Sequence, residues 1–276
     1  MAIVNPANLD IESLARRLPA FPAVIVQLLD LLRDDSVTLE ALTRIIRNDP
    51  VVMASILAQA NHIRRLRVQS DVTDPFVAAS IIGVNHVRRI VVTIGMNSFM
   101  ALLPGGSGLF QHSLAVAITA QEVATLSGLS PDHAYITGVL HDVGQLCLSM
   151  LDQLAFEKAH SESVIGAELL HREAELFGVD HCQIGARLAQ YWKLPEAIHG
   201  AILSHHDDHI VTGPMQACIS VANVLARALD LPMLPQNRVA EVNSLAVEAL
   251  QLDWNAPEFA NMLDRCVVRF HHALRK

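Results

Sequence analysis

The side chains in this sequence best suited to chemistry are imidazoles and one carboxylate. His141-Asp142 sets the two types side by side in Leu140-His141-Asp142-Val143-Gly144, within a strongly apolar stretch. With 14 His in 276 residues, chance supplies roughly one His-Asp dipeptide, and His206-Asp207 is a second copy. The setting is therefore the signal. Burying an imidazole and a carboxylate without partners costs several kcal/mol, so partners are expected to converge on them from other helices. The candidates are His112 in Phe110-Gln111-His112-Ser113, His181 in Asp180-His181-Cys182-Gln183-Ile184-Gly185, and the pair His205-His206. Imidazole and carboxylate suit a divalent transition metal (Fe, Mn, Zn or Ni), as one ion or as two bridged by the carboxylate. A two-ion site activates a water for in-line attack on phosphorus, the chemistry of a phosphohydrolase. Any one of these histidines alone is more often a hydrogen-bonded interior residue than a ligand, so the set stands or falls on convergence. His160, His171, His199, His209, His271 and His272 are read as ordinary interior or surface residues, since nothing ties them to the His-Asp stretch.

The elements that must position these residues are helices. Half of the chain is hydrophobic and only 17% charged, and the apolar residues recur at helical spacing rather than alternating. Leu39, Leu42, Ile45 and Ile46 make one such stripe. Pro22, Asp49-Pro50, Asp74-Pro75 and Ser130-Pro131 read as helix starts, with a capping side chain and proline in the first turn in the last three. Gly83 is expected to end a short helix, and 85–103 to form a longer, buried one. Pro104-Gly105-Gly106-Ser107-Gly108 is the strongest break, and a lobe boundary is placed there: 1–104 as one helical lobe and 105–276 as another. In the second lobe helices are predicted over 109–126, from Pro131 through the His-Asp pair, and over 164–177, 181–192, 195–205, 215–229, 239–250 and 257–274. The fold class predicted is an all-α, two-lobed helical bundle.

Composition excludes several classes. No apolar run approaches the roughly 18 residues that span a bilayer, and the start lacks a basic region followed by an apolar core; a cytoplasmic protein without a membrane association is expected. Cys147, Cys182, Cys218 and Cys266 are scattered and form no Cys-x-x-Cys pair, so buried reduced thiols are expected rather than disulfides or a thiolate zinc site. Split at Pro104, the first part holds 10 Arg/Lys against 9 Asp/Glu and the second 10 against 19, which together give the net charge of −8. That balance argues against general nucleic-acid affinity. Arg64, Arg65, Arg67, Arg88 and Arg89 form the one local basic group noted, read as a solvated face.

At these residues the chain resembles the HDOD family, a branch of the HD-domain superfamily, over nearly its whole length. The N-terminal part resembles it in Leu18-Pro19-Ala20-Phe21-Pro22, Ile45-Ile46-Arg47-Asn48-Asp49-Pro50, Gln59-Ala60-Asn61 and Ile81-Ile82-Gly83. The C-terminal part does so in His112-Ser113, in Tyr135-Ile136-Thr137-Gly138-Val139-Leu140-His141-Asp142-Val143-Gly144, and in Trp192-Lys193-Leu194-Pro195 ahead of His205-His206. The resemblance implies an HD-like C-terminal lobe and a part in bacterial signal transduction, exercised through a signalling protein partner or a small nucleotide. Similarity to the HD-GYP relatives, which cleave cyclic di-GMP at a metal centre, implies that His112, His141 and Asp142 serve one ion. By the same likeness Asp142 bridges, as the catalytic carboxylate, to a second ion served by His181, His205 and His206. This chain departs from those enzymes at Gln145, where they carry a lysine, at Asn223, the nearest counterpart of a late aspartate ligand, and at Asp207-Asp208-His209, where their Gly-Tyr-Pro is missing. Gln145 removes a cation that can hold a phosphate, and Asn223 is a neutral, weaker ligand. Metal binding with poor or absent turnover is the expectation.

Overall fold

The computed structural model describes residues 38–47, 49–102, 105–160, 165–207, 209–233 and 239–274, with the side chains of Arg44 and Ile45 outside the description. Every regular element among the described residues is a helix, so the protein is all-α. The helix start at Pro22 and the Leu18–Pro22 motif lie outside the described residues. The chain divides into two compact units with a boundary between Phe99 and Met100, just before the Gly-rich break.

The smaller unit contains α1 (Leu39–Ile46), α2 (Pro50–Leu66), α3 (Pro75–Ile82) and nearly all of α4 (Val84–Met100). Proline and aspartate set the starts of α2 and α3, the proline occupying a position whose N–H has no helical acceptor. Asp49 accepts from the amides of Val51 and Val52 at 3.0 and 3.1 Å, and Asp74 from that of Val77 at 2.9 Å. Asn61 donates to the Val72 carbonyl at 3.0 Å and accepts from its amide at 2.7 Å, fastening α2 to the segment that leads into α3. Gly83, at φ +83°, turns the chain by 108° between α3 and α4. Leu42, Ile46, Val52, Ile56 and Ala60 fill the interior. No single described helix is long and apolar enough to cross a membrane.

The larger unit is organised on α5 (Gly106–Leu126), which is buried almost throughout from Phe110 to Ala124. It starts three residues earlier than periodicity predicts: Gly105 takes the left-handed conformation, φ +72°, and Gly106 is already helical. Around it pack α6 (Pro131–Leu140), α12 (Pro214–Ala228) and α14 (Pro257–Leu274). A second group, α10 (His181–Tyr191), lies against α7 (Val143–Leu151) and α11 (Glu196–Ser204); α11 also meets α12, and α13 (Ser244–Ala249) rests on α12. The remaining elements are α8 (Gln153–Ala159) and α9 (Gly166–Phe177). The four cysteines are buried free thiols.

Two expectations about elements are corrected. The predicted helix 239–250 is helical only over Ser244–Ala249, because Asn243 caps it by accepting from the amides of Leu245 and Ala246 at 2.9 and 3.2 Å. The helix predicted to run from Pro131 through His141-Asp142 instead ends at Leu140, and a new one begins at Val143. The His-Asp pair occupies the break between them.

Candidate metal centre

That break decides where the reactive groups point. Asp142 stands at the position that would cap α7, yet its side chain makes no capping hydrogen bond; the carboxylate turns instead toward imidazoles from four other places in the chain. His112 comes from α5, His141 from the end of α6, His181 from the first residue of α10, and His205 and His206 from just past α11. Two glycines let these helices approach. A methyl group on Gly138 would stand 2.6 Å from the Ala117 Cα of α5, and one on Gly144 would stand 1.9 Å from the His181 carbonyl oxygen. Both distances are far inside van der Waals contact. Any larger residue at 144 would drive α10, and His181 with it, away from Asp142.

The two oxygens of Asp142 divide the imidazoles. Oδ2 lies 3.3 Å from His141 Nε2 and 3.7 Å from His112 Nε2; Oδ1 lies 3.4 Å from the Nε2 atoms of both His181 and His205. His206 completes the second group, the ligand atoms of each group lying within 4.8 Å of one another. The structure thus brings together all six residues on which the sequence reading centred. Asn223 is buried on α12, one turn before Arg227, whose charge acts on His112 and Asp142.

Proton positions follow from what lies behind the rings. His141 Nδ1 donates to the Gly138 carbonyl at 2.8 Å, His205 Nδ1 to the Ile202 carbonyl at 2.8 Å, and His181 Nδ1 to Glu173 Oε2 at 2.6 Å. A carbonyl or carboxylate oxygen only accepts, so Nδ1 carries the proton and Nε2 of the neutral ring presents a lone pair. With the rings neutral, as a bound metal requires, three lone pairs face a carboxylate that is also acceptor-only. The Nε2 atoms of His112, His141, His181 and His205, and Asp142 Oδ1, have no hydrogen-bond partner although buried. Separations of 3.3–3.7 Å are longer than the usual N–H···O hydrogen bond. Two ligand atoms held about 2.0–2.1 Å from a shared ion, at angles between octahedral and tetrahedral, stand roughly 2.8–3.4 Å apart. The spacing and the lone pairs fit a divalent cation, so the buried cluster can bind a metal.

Electrostatics agrees. Burial alone would raise the Asp142 carboxyl, but the imidazoles of His141, His205 and His181 hold it well below the usual carboxylate range. Burial, aided by the charge of Arg227, keeps His112 well below its ordinary value and so neutral; burial and the neighbouring His205 and His181 do the same to His206. With no ion between them, and against the effect of burial, Cys182 and Asp142 pull His205 up to about 10, and Cys182 and Glu173 hold His181 well above its ordinary value.

Sequence reasoning missed the layer behind the ligands. Glu173, fully buried, accepts from both the backbone amide of His181 at 2.9 Å and its Nδ1, fixing the ring as carboxylates do behind metal-bound histidines. His160, read as unconnected, has Nε2 3.6 Å from Glu173 Oε1. A signal for Glu173 was present: on α9 it falls between Leu169 and Phe177, at steps of four, on the buried stripe. The arginine cluster is partly spent locally, Arg64 on the Ser70 carbonyl and Arg65 on the Asp71 carboxylate, and Arg88 is buried.

The HDOD domain family model matches residues 18–208. The chain belongs to the HDOD family. A protein of Treponema pallidum with no assigned function is 23% identical over 255 residues, 83% of this chain but 48% of its own length, so the chain spans about half of that relative. Among solved structures, a Marinobacter aquaeolei protein provisionally named a signal transduction protein shares 19% identity with a TM-score of 0.70, covering 96% of this chain and 59% of that one. A Shewanella amazonensis protein provisionally named a phosphohydrolase shares 21% identity with a TM-score of 0.66, covering 94% and 93%. At these identities the likeness to the solved structures is one of fold.

Proposed function

We propose that this HDOD protein is a regulatory, signal-transducing element, cytoplasmic and acting through a protein partner or a small nucleotide, whose larger unit holds one or two divalent transition-metal ions. The observation that carries the metal reading is the set of buried, unpartnered Nε2 atoms facing Asp142. His112 and His141 would hold one ion, His181, His205 and His206 a second, and Asp142 both, with Asn223 a neutral oxygen at the margin. Fe, Mn, Zn and Ni all accept this nitrogen-rich set. Regulation is favoured over turnover because Gln145 supplies no charge to a phosphate and Asn223 none to the ions. The name of the Marinobacter relative points the same way.

A second reading, metal-dependent phosphoester hydrolysis, draws on the sharing of Asp142 between two imidazole groups, the layout of two-metal hydrolases, and on the name of the Shewanella relative. Bound ions would supply an activated water; this chain's own residues would keep Nε2 lone pairs aimed inward and hold protons on Nδ1. Element analysis of protein purified without added metal tests the first point, with one to two equivalents expected, lost in His141→Ala and kept in His271→Ala. Assay of that protein on cyclic dinucleotides separates the readings: slow or absent hydrolysis supports regulation, and rapid turnover abolished by Asp142→Ala supports the enzyme. Recovery of neither a stoichiometric partner nor nucleotide binding would count against a regulatory role.

A further inference from the structure

The short segment that carries His205 and His206 is tied at both ends by side-chain amides from later in the chain. It begins where α11 ends, at Ser204, and the last carbonyls of a helix have no partner within it. Gln216 of α12 donates to the Ser204 carbonyl at 2.9 Å, immediately before His205. Asn243 donates through Nδ2 to the Asp207 carbonyl at 3.1 Å, immediately after His206. His205 has an anchor of its own, Nδ1 on the Ile202 carbonyl at 2.8 Å. The His206 ring instead meets other rings of the cluster, its centroid 4.2 Å from that of His205 and 5.2 Å from that of His181, so the backbone on either side of it decides where its nitrogens point.

Asn243 does two things at once. Its Oδ1 caps α13 by accepting from the amides of Leu245 and Ala246, at 2.9 and 3.2 Å, while Nδ2 reaches a residue 36 positions earlier, Asp207. Capping alone is served as well by Asp or Ser. Neither can make the second bond: an ionised carboxylate has no proton to give, and a serine hydroxyl stands where the asparagine Cγ does, short of Asp207. The side chain is buried and uses both ends of its amide, so the start of α13 and the histidine segment are fastened through one residue. Asn243 also lies beyond the residues 18–208 that the family model matches, so this hold on the cluster comes from the part of the chain outside that match.

We infer that Asn243 is a positioning residue for the metal centre: it holds the Asp207 peptide so that His206, and with it His205, present their ring nitrogens to the ion shared with His181 and Asp142. The inference rests on the metal reading above and adds to it a residue that touches no ion. Metal–ligand bonds tolerate displacements of only about 0.2 Å, so a peptide free to rotate beside His206 should loosen the ion without unfolding the chain. The test is competition for zinc between a chelating dye and the full chain, with thermal unfolding of the same samples free of metal. N243S keeps an acceptor for the α13 amides and removes the donor to Asp207; its zinc affinity is expected to fall about 10- to 100-fold, with a metal-free midpoint close to that of wild type. N243A removes cap and donor together, and should lose the same affinity while also lowering the midpoint. Should N243S not fold, N243D, which keeps the cap on a side chain of the same shape, carries the comparison. Wild-type zinc affinity in the variant that keeps the cap overturns the inference and leaves the metal reading standing, as does an affinity loss in it accompanied by a fall in midpoint as large as that of N243A. A wild-type chain that binds no zinc overturns the metal reading and this inference with it.

Discussion

Helix α5 carries two groups of buried polar side chains, and their contrast separates structure from function. Near its C-terminal end, Glu122 accepts from Arg265 Nε at 2.8 Å and from Arg269 Nη1 at 2.5 Å, while Gln121 accepts from the same Arg269. This clamp holds α14 on α5 and is satisfied from within the chain. Ten residues earlier, His112 joins a group in which four Nε2 atoms and one carboxylate oxygen have no partner. Both groups are buried, both are charged or polar, and α5 contributes to each. Burial of polarity alone therefore marks nothing; a set of buried acceptors aimed at one another marks a place that awaits a cation.

The comparison breaks most sharply at Asp142, the residue shared by both imidazole groups. Asp142→Asn keeps the shape but removes the charge that holds the ions together, and complete loss of co-purifying metal is expected by element analysis. Full metal occupancy in that variant would mean that the imidazoles suffice without the carboxylate. The converse variant, Glu122→Ala, should cost about 2 kcal/mol in denaturant unfolding, less than a fully buried pair would, because the side chains of Arg265 and Arg269 are 46% and 38% exposed and can turn to water. Its metal content should not change.

How much of this was legible in the sequence depends on whether the signal was local. Helix starts at Asp49-Pro50, Asp74-Pro75 and Ser130-Pro131 were legible because a cap and its proline act within one turn. The interruption of the helix at His141-Asp142 was not, since no proline or glycine stands at the break. Asp142 leaves the helical path for contacts made by residues distant in sequence, and tertiary demand overrides local propensity. The histidines could be assembled by elimination and by family likeness. Glu173 could not, because a glutamate on a surface-type helix is ordinary until its place on the stripe between Leu169 and Phe177 is weighed. Gly144 is of the same kind: its necessity lies in the His181 carbonyl that a Cβ would strike, an atom far along the chain.

Glu173 sharpens the contrast from behind the site, since it is as buried as Glu122 but serves a histidine ring rather than a helix clamp. Glu173→Gln retains an acceptor for the His181 backbone amide and removes the charge that orients and strengthens the ring as a donor. Metal affinity should fall about 10- to 100-fold, read by competition with a chelating dye, while the unfolding midpoint of metal-free protein moves less than in Glu122→Ala. Unchanged affinity would make Glu173 a packing residue that happens to touch His181.

Proton competition distinguishes the two groups last, and here the sign follows from His205. Burial would lower its pKa, but Cys182 and Asp142 raise it to about 10 in the metal-free chain, above the ordinary value of about 6.5. The proton it gains on folding contributes stability that is fully present below about pH 6.5 and is lost as pH rises through about 10. A metal at Nε2 must displace that proton, so its affinity should move oppositely and rise about tenfold per pH unit across this window for each proton released. Thermal unfolding of metal-free and metal-loaded protein at pH 7, 8 and 9 should therefore show a gap that widens with pH, as the first loses stability and the second gains from tighter binding. The destabilisation caused by Glu122→Ala should stay level over the same range, because the clamp contains no imidazole or thiol to titrate. A gap that does not change would mean that no proton leaves when metal enters, and His205 would then be hydrogen-bonded rather than coordinated.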